Sequence, residues 1–513
     1  MLSQSDVREK MRPRENCATI LPRGRSGEMG RGHIAIALLL ALLRAGLGAS
    51  EPVQRPTSEA RAREEAIAKF EAGQAAHEQG RLTEAIALYT AALEQVPDFP
   101  EALYQRAAAY FALDRWEESE KDLARLLDRE REVLEDATAE PTLAAFFARG
   151  HTLMAEVLLH RGRLAEAEAH LERALALDPR FPRARLVRAS LALARRAPAD
   201  ALAELKRAAD LGPPTAAFYI LLGMAEEQQG DAEAALQAYE RALALDPNAL
   251  AAREARSRLL LARKDYARAI EDLEVLARAR QTTAAEQRLA EAYALAGRIE
   301  DALALFHRIL AREPTHREAR ESVIALLERT GRSAEALAHA QQLADAYPQD
   351  PRAHALLGEL LLSSDPEKAA RAFEHAARLD PENLSHRTNL GAAFLKLRRF
   401  PEAIEVFTGV LARDPNNYPA HAGLGTAYFE LKDYAQAARE FAWVIERKPE
   451  TAVAYYFLAI CYDRLRDYER ALPLYERFLA LADPAKHRTE IESVQFRLPA
   501  LRRQIEEAKK RRR

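Results

Sequence analysis

The sequence predicts an all-α protein: a right-handed α-α superhelix of about twelve stacked helix-turn-helix units, ended by a C-terminal capping helix. Three observations carry this. Leu384 to Pro415 divides into two amphipathic stretches. Leu384, Leu390, Gly391 and Phe394 share one face of the first, and Phe400, Ala403, Phe407 and Val410 one face of the second, at the three-and-four spacing of an α-helix. That unit recurs 34 residues on as Leu424, Gly425, Tyr428, Tyr434, Ala437, Phe441, Val444 and Pro449. Finally, the hydrophobic 48% of the 513 residues is dominated by alanine, which favours helix over sheet.

Taken in order, residues 1–28 are polar and aperiodic, and read as disordered or as a mis-assigned start. From Met29 a basic residue (Arg31), an apolar run (Ile34 to Leu43) and small residues up to Ser50 follow one another. That is the order of a secretory signal, with cleavage between Gly46 and Glu51. Arg44 interrupts the run and its shortness disfavours a bilayer span, yet an uncleaved anchor or an unused apolar helix also fits 29–50. Residues 51–58 form a polar linker around Pro56, with Ser58 as a helix N-cap. The array occupies 59–484. An insertion at about 134–147 breaks the period, and is expected to lengthen the preceding helix past Glu130 and open a loop around Asp136 to Pro141. Residues 485–513 supply the cap, with Ile491, Val494, Leu498, Leu501 and Ile505 as its apolar stripe, Pro499 as a bend, and a basic tail from Lys509 to Arg513.

Within the array most second helices end at a proline joint, such as Asp414-Pro415, because proline lacks the N–H that would continue the helix and restricts the residue before it. Near the middle of those helices one position reads Ala85, Ser119, Ala167, Ala201, Ala235, Ala269, Ala302, Ala336, Ala369, Ala403, Ala437 and Ala471. So small a side chain at every recurrence requires two helices to touch there almost backbone to backbone. Four residues later stand Tyr89, Tyr239, Phe306, Phe373, Phe407, Phe441 and Tyr475, which read as core. Gly or Ala, Tyr, Ala, Phe and Pro at set places in a 34-residue helical hairpin resemble the tetratricopeptide repeat. The resemblance implies a protein-binding scaffold.

Catalytic chemistry has no visible carrier. The 13 histidines include no pair at the spacing of a helical zinc site and no HExxH, and no phosphate loop, dinucleotide fingerprint or nucleophile elbow occurs. His151, His354 and His421 share the fourth place of a first helix and read as packing or rim residues. Cys17 and Cys461 stand far apart, without the paired spacing of a metal or redox site. Neither a catalytic residue, a metal nor a cofactor is expected. A net charge of −3 gives no general attraction to nucleic acid or anionic lipid, so a membrane enters only through an uncleaved N-terminal segment.

The resemblance also says where a partner would lie, since the family's first helices line a concave groove. Transferred here, the groove positions give Glu254, Glu291, Glu318, Glu321, Glu328 and Glu359 across the middle repeats, an acidic stretch. Toward the C-terminus they give Phe429, Tyr456 and Ile460, with Asn389 nearby. The expected ligand is a protein or peptide anchored on those apolar side chains; packing of the same residues against the end helix or one another is the alternative. The lysine and asparagine set with which chaperone-binding relatives clamp a terminal carboxylate is missing. An exported scaffold in an envelope, secretion or polysaccharide-export assembly, an accessory subunit or remnant of a transferase, and a cytoplasmic adaptor all remain compatible with these residues.

Overall fold

The computed structural model describes residues 58–130, 134 and 141–512. Residues 51–57 of the linker and the apolar N-terminal run therefore lie outside the described residues, as do Asp136 to Glu140, while Ser58, expected to cap the first helix, is its first residue. Among the described residues every regular element is an α-helix. The chain divides between Arg280 and Gln281 into two units, and that boundary falls between two hairpins.

The first unit holds six hairpins: α1 (Ser58–Glu78) and α2 (Leu82–Gln95), α3 (Pro100–Ala112) and α4 (Trp116–Leu127), α5 (Pro141–His160) and α6 (Leu164–Leu177), α7 (Pro182–Ala194) and α8 (Pro198–Ala209), α9 (Ala216–Gln229) and α10 (Ala232–Leu245), and α11 (Leu250–Ala262) and α12 (Tyr266–Arg280). The second holds six more: α13 (Thr283–Leu295) and α14 (Ile299–Arg312), α15 (Arg317–Arg329) and α16 (Ser333–Ala346), α17 (Pro351–Leu361) and α18 (Pro366–Leu379), α19 (Leu384–Lys396) and α20 (Phe400–Leu411), α21 (Tyr418–Glu430) and α22 (Tyr434–Arg447), and α23 (Ala452–Arg464) and α24 (Tyr468–Leu481). The terminal α25 (Arg488–Arg512) follows. In both units each helix packs on its hairpin partner and then on the next hairpin, so the core is a row of local interfaces.

The repeated alanine sits where that packing is tightest. All twelve residues at this position, Ser119 included, are completely buried. The aromatic one turn later lies against glycine of the first helix. A Cβ on Gly391 would stand 2.6 Å from the Phe407 ring, and one on Gly423 of the next hairpin would stand 2.3 Å from it. Phe407 thus fills the space between two repeats because both helices facing it have no side chain there. Tyr89 on Gly73, Tyr239 on Gly223, Phe373 on Gly358 and Phe441 on Gly425 repeat the contact.

The inserted segment differs from expectation. Helix α4 stops at Leu127 instead of running on past Glu130, and residues 141–147 belong to α5. The reason lies in the residues themselves: Pro141 suits the first turn of a helix, and Phe147 is 2% exposed within the core of the first unit. Residues 141–147 of the insertion thus lie in a first helix rather than a second.

Helix α25 ends the second unit. Val494, Leu498, Leu501 and Ile505 are buried in one cluster with Ala471, Tyr475 and Phe478, and Pro499 lies inside the helix. Arg497 adds a bidentate bond to Asp463 (Nε to Oδ2 2.7 Å, Nη2 to Oδ1 2.6 Å), and Tyr475 donates to the same carboxylate at 3.3 Å. In the first unit Glu227 likewise accepts from Tyr239 and from Arg258 of the following first helix. The cap therefore occupies the place of a next first helix.

Candidate functional site

First helices approach one another along each unit: α5 lies against α7, α7 against α9, and α19 against α21. Side chains on their outward positions form the candidate face. In the second unit the apolar part of this face is built by α21 and α23. Phe429 is half-buried, its ring 5.8 Å from Tyr434 and 4.9 Å from Phe457, both edge-on. Tyr456 is also half-buried, 5.5 Å from Phe457 and 5.1 Å from Phe478. Ile460, one turn on, packs beside the cluster that α25 closes. The structure therefore joins Phe429 to Tyr456 through Phe457, and each ring takes part in packing while keeping part of its surface exposed.

The polar candidates separate into smaller groups. Asn389 donates from Nδ2 to Glu359 Oε1 at 3.4 Å, so those two meet across neighbouring hairpins. Glu321 accepts from Arg317 Nε at 2.8 Å, Glu291 from Gln287 at 2.9 Å, and Glu318 lies 3.6 Å from His316 Nδ1. Glu328 is exposed. Glu254 belongs to the first unit, where Arg280 Nη2 reaches it at 2.5 Å. The acidic stretch is thus partly answered by its own arginines.

Sequence reasoning did not find a clamp at the fourth residue of the first helices. Arg253 reaches back six residues to the Pro247 carbonyl (Nη2 2.8 Å) and across to Asp272 on the second helix (2.8 Å). Arg320 bonds the Pro314 carbonyl at 2.5 Å and contacts His339. His421 faces the Pro415 carbonyl at 3.0 Å and Glu440 at 2.6 Å, and His354 faces the Pro348 carbonyl at 3.0 Å. Each side chain therefore pins the proline joint that ends the previous repeat. A long polar residue six places after the joint proline, followed 19 places on by a polar residue for Arg253, Arg320 and His421, was the signal available.

His151 holds the matching place in its repeat but, because α5 begins early at Pro141, it is the eleventh residue of that helix rather than the fourth, and it is used differently. Its Nδ1 meets His170 Nδ1 at 2.8 Å, its Nε2 meets Glu130 Oε2 at 2.5 Å, and Arg173 donates to Glu130 at 2.7 Å. Burial is the main force pushing both imidazoles below their ordinary value, His170 to about 4 with the neighbouring His151 adding to the effect. Burial opposes ionisation of Glu130, but the bonds from His151 and Arg173 prevail and hold it below the usual carboxylate range. Cys461 is completely buried, and burial pushes its thiol up to about 12, far from a reactive thiolate. Among the described residues no group of three His, Cys, Asp or Glu side chains is arranged to hold a metal ion, and no helix is long and apolar enough to cross a membrane.

These helical hairpins, joined at prolines and stacked through an alanine–aromatic seam, define a repeat scaffold. Family models place it further. A model described as TPR repeat matches residues 73–114, and models described as tetratricopeptide repeat match 152–216, 220–284, 260–327, 293–360, 359–418 and 394–452. Two further models of the set match 101–131 and 454–489. The chain belongs to the tetratricopeptide repeat family. Tetratricopeptide repeat protein 21A of Homo sapiens is 29% identical over 112 residues, a match spanning 22% of this chain and 8% of that protein.

Among solved structures, the C-terminal part of a TPR repeat-containing protein from Cytophaga hutchinsonii is 17% identical, covering 47% of this chain and 99% of that one at a TM-score of 0.41. MamA from Desulfovibrio magneticus is 25% identical over 33% of this chain and 96% of its own, with a TM-score of 0.29. YrrB, described as a TPR protein with an unusual peptide-binding site, is 19% identical over 37% of this chain and 97% of its own, with a TM-score of 0.32. The repeats are those of a protein–protein interaction scaffold.

Proposed function

We propose that this chain is a non-catalytic scaffold that holds a protein or peptide against the first-helix face of its last three hairpins. The observation that carries the reading is the set Phe429, Tyr456 and Ile460: apolar side chains on α21 and α23 that are braced by neighbours yet not fully covered. Braced aromatic side chains lose little entropy on binding, and such anchors usually supply most of an interface's energy. Asn389 offers an amide for the partner's backbone.

The scaffold is proposed to act outside the cytoplasm, in an envelope, secretion or polysaccharide-export assembly. Support for that compartment is the order of basic, apolar and small residues from Met29 to Ser50. Sequencing the native protein should find a mature N-terminus between Leu47 and Pro52; Met1 or Met29 at the start of a soluble cytoplasmic form would refute export.

The binding reading is tested by Tyr456→Ala. Capture of partner from an envelope extract should weaken by about 2 kcal/mol or more, as truncation of an interface anchor does, while the melting temperature barely moves. A fall in melting temperature with no separate loss of capture would make Tyr456 a packing residue and end the assignment.

A further inference from the structure

Helix α25 stands where a next first helix would, and Arg497 takes the place that Arg258 has in α11. The residue before each arginine therefore holds one register position. That position is Gly223 in α9, Ser257 in α11, Gly391 in α19, Gly425 in α21 and Ala459 in α23, all small and buried. It faces the second helix of its own hairpin: a Cβ on Gly223, Gly391 or Gly425 would stand 2.6, 2.6 or 2.9 Å from the ring of Tyr239, Phe407 or Phe441. In α25 the same position holds Phe496, which at 89% exposed is the most exposed large hydrophobic side chain among the described residues.

A helix approaching as closely as a second helix approaches those glycines would meet the Phe496 ring, so this face suits a different contact. Its exposed residues Glu492, Phe496, Pro499 and Arg503 are spaced four, three and four apart, which keeps them on one side of the helix. The spacing reads the same from either end, and the two ends carry opposite charges. Set antiparallel on its own copy, about a twofold axis between Arg497 and Leu498, the stripe brings Phe496 against Pro499 of the second copy and Glu492 against Arg503 of the second copy, each contact occurring twice. We propose that the outer face of α25 is a self-association surface on which two copies of this chain pair antiparallel.

Charge complementarity selects that occupant. A parallel copy would set Glu492 on Glu492 and Arg503 on Arg503, and an anionic membrane would attract Arg503 while repelling Glu492. The antiparallel copy matches both. Glu492 bonds Arg488 of its own helix at 3.0 Å, an exposed pair of the kind that contributes little, so the carboxylate is free to exchange partners. An isologous contact also uses up the face that makes it, and association stops at two copies.

Sedimentation equilibrium of the full chain across the micromolar range should show monomer and dimer in exchange. Phe496→Ser should weaken association about tenfold or more, as loss of an interface anchor does, and because the ring is exposed the melting temperature of the dilute protein should stay the same. Glu492→Arg and Arg503→Glu should each weaken association about tenfold, since each sets like charges opposite one another. Mixed in equal amounts, those two single variants should pair with each other as well as the parent pairs with itself, because each supplies the charge that the other lacks. A parent that stays monomeric, or that grows past two copies, would overturn the proposal. So would a dimer indifferent to Phe496→Ser or lost only with a fall in melting temperature, or a mixture of the two charge variants that fails to associate.

Discussion

At the scale of single residues, the closest contact of the fold is a ring on a bare backbone. Phe407 is 1% exposed and is held between Gly391 and Gly423. Helix propensity favours alanine over glycine by about 1 kcal/mol, but a ring pinned from both sides cannot retreat from a new methyl group. Gly391→Ala should therefore destabilise, the overpacking cost of about 1–3 kcal/mol exceeding the propensity gain. Urea denaturation checks the sign, and the cost should shrink in a Phe407→Leu background.

The buried histidine pair makes a second residue-scale prediction. His170 has a folded value of about 4 against 6.5 for the free side chain. Its neutral form is thus preferred in the fold, and that contribution to stability is present above 6.5 and lost as pH falls toward 4. The depressed His151 acts in the same direction. The urea midpoint of the parent should fall as pH drops through this window, and His170→Gln should flatten the slope; parallel slopes would show that the pair is not the source.

At the scale of helices and turns, what was legible followed from period. The alanine row, the aromatic row and the proline joints each occupy one register position, so their burial could be read before any coordinates. Polar partnerships were less legible because their members alternate in chemistry: Arg253 with Asp272, Arg320 with His339 and His421 with Glu440 perform one task with different atoms. The candidate face was legible only as positions. Nothing in a one-dimensional pattern says that Asn389 meets Glu359 or that Phe457 bridges Phe429 and Tyr456. The segment 141–147 was misplaced because its helix adds length ahead of the repeat, where no period marks it.

The cap gives the prediction at this scale. Arg497→Ala would leave Asp463, half-buried, with only the Tyr475 hydroxyl. A partly buried carboxylate that loses its bidentate partner costs about 1–3 kcal/mol. Amide exchange should accelerate in α25 and α24 before any other helix, and unchanged protection there would show that the apolar stripe alone secures the cap.

At the scale of the molecule, the extensive packing among the described residues of each unit is between helices of the same or neighbouring hairpins. A solenoid of this kind opens in segments whose free energies differ along the chain. Ala403 is completely buried at the seam of the tenth hairpin, and Ala403→Leu should cost about 1–3 kcal/mol by forcing two helices apart. The loss should stay near its source. Amide exchange should rise in α19 and α20 and in the adjoining α18 and α21, and remain at the parental rate in the six hairpins of the first unit. A uniform rise across the chain would mean that the array unfolds as one cooperative body, and the proposed ligand face of the last three hairpins could then not be altered without unsettling the rest.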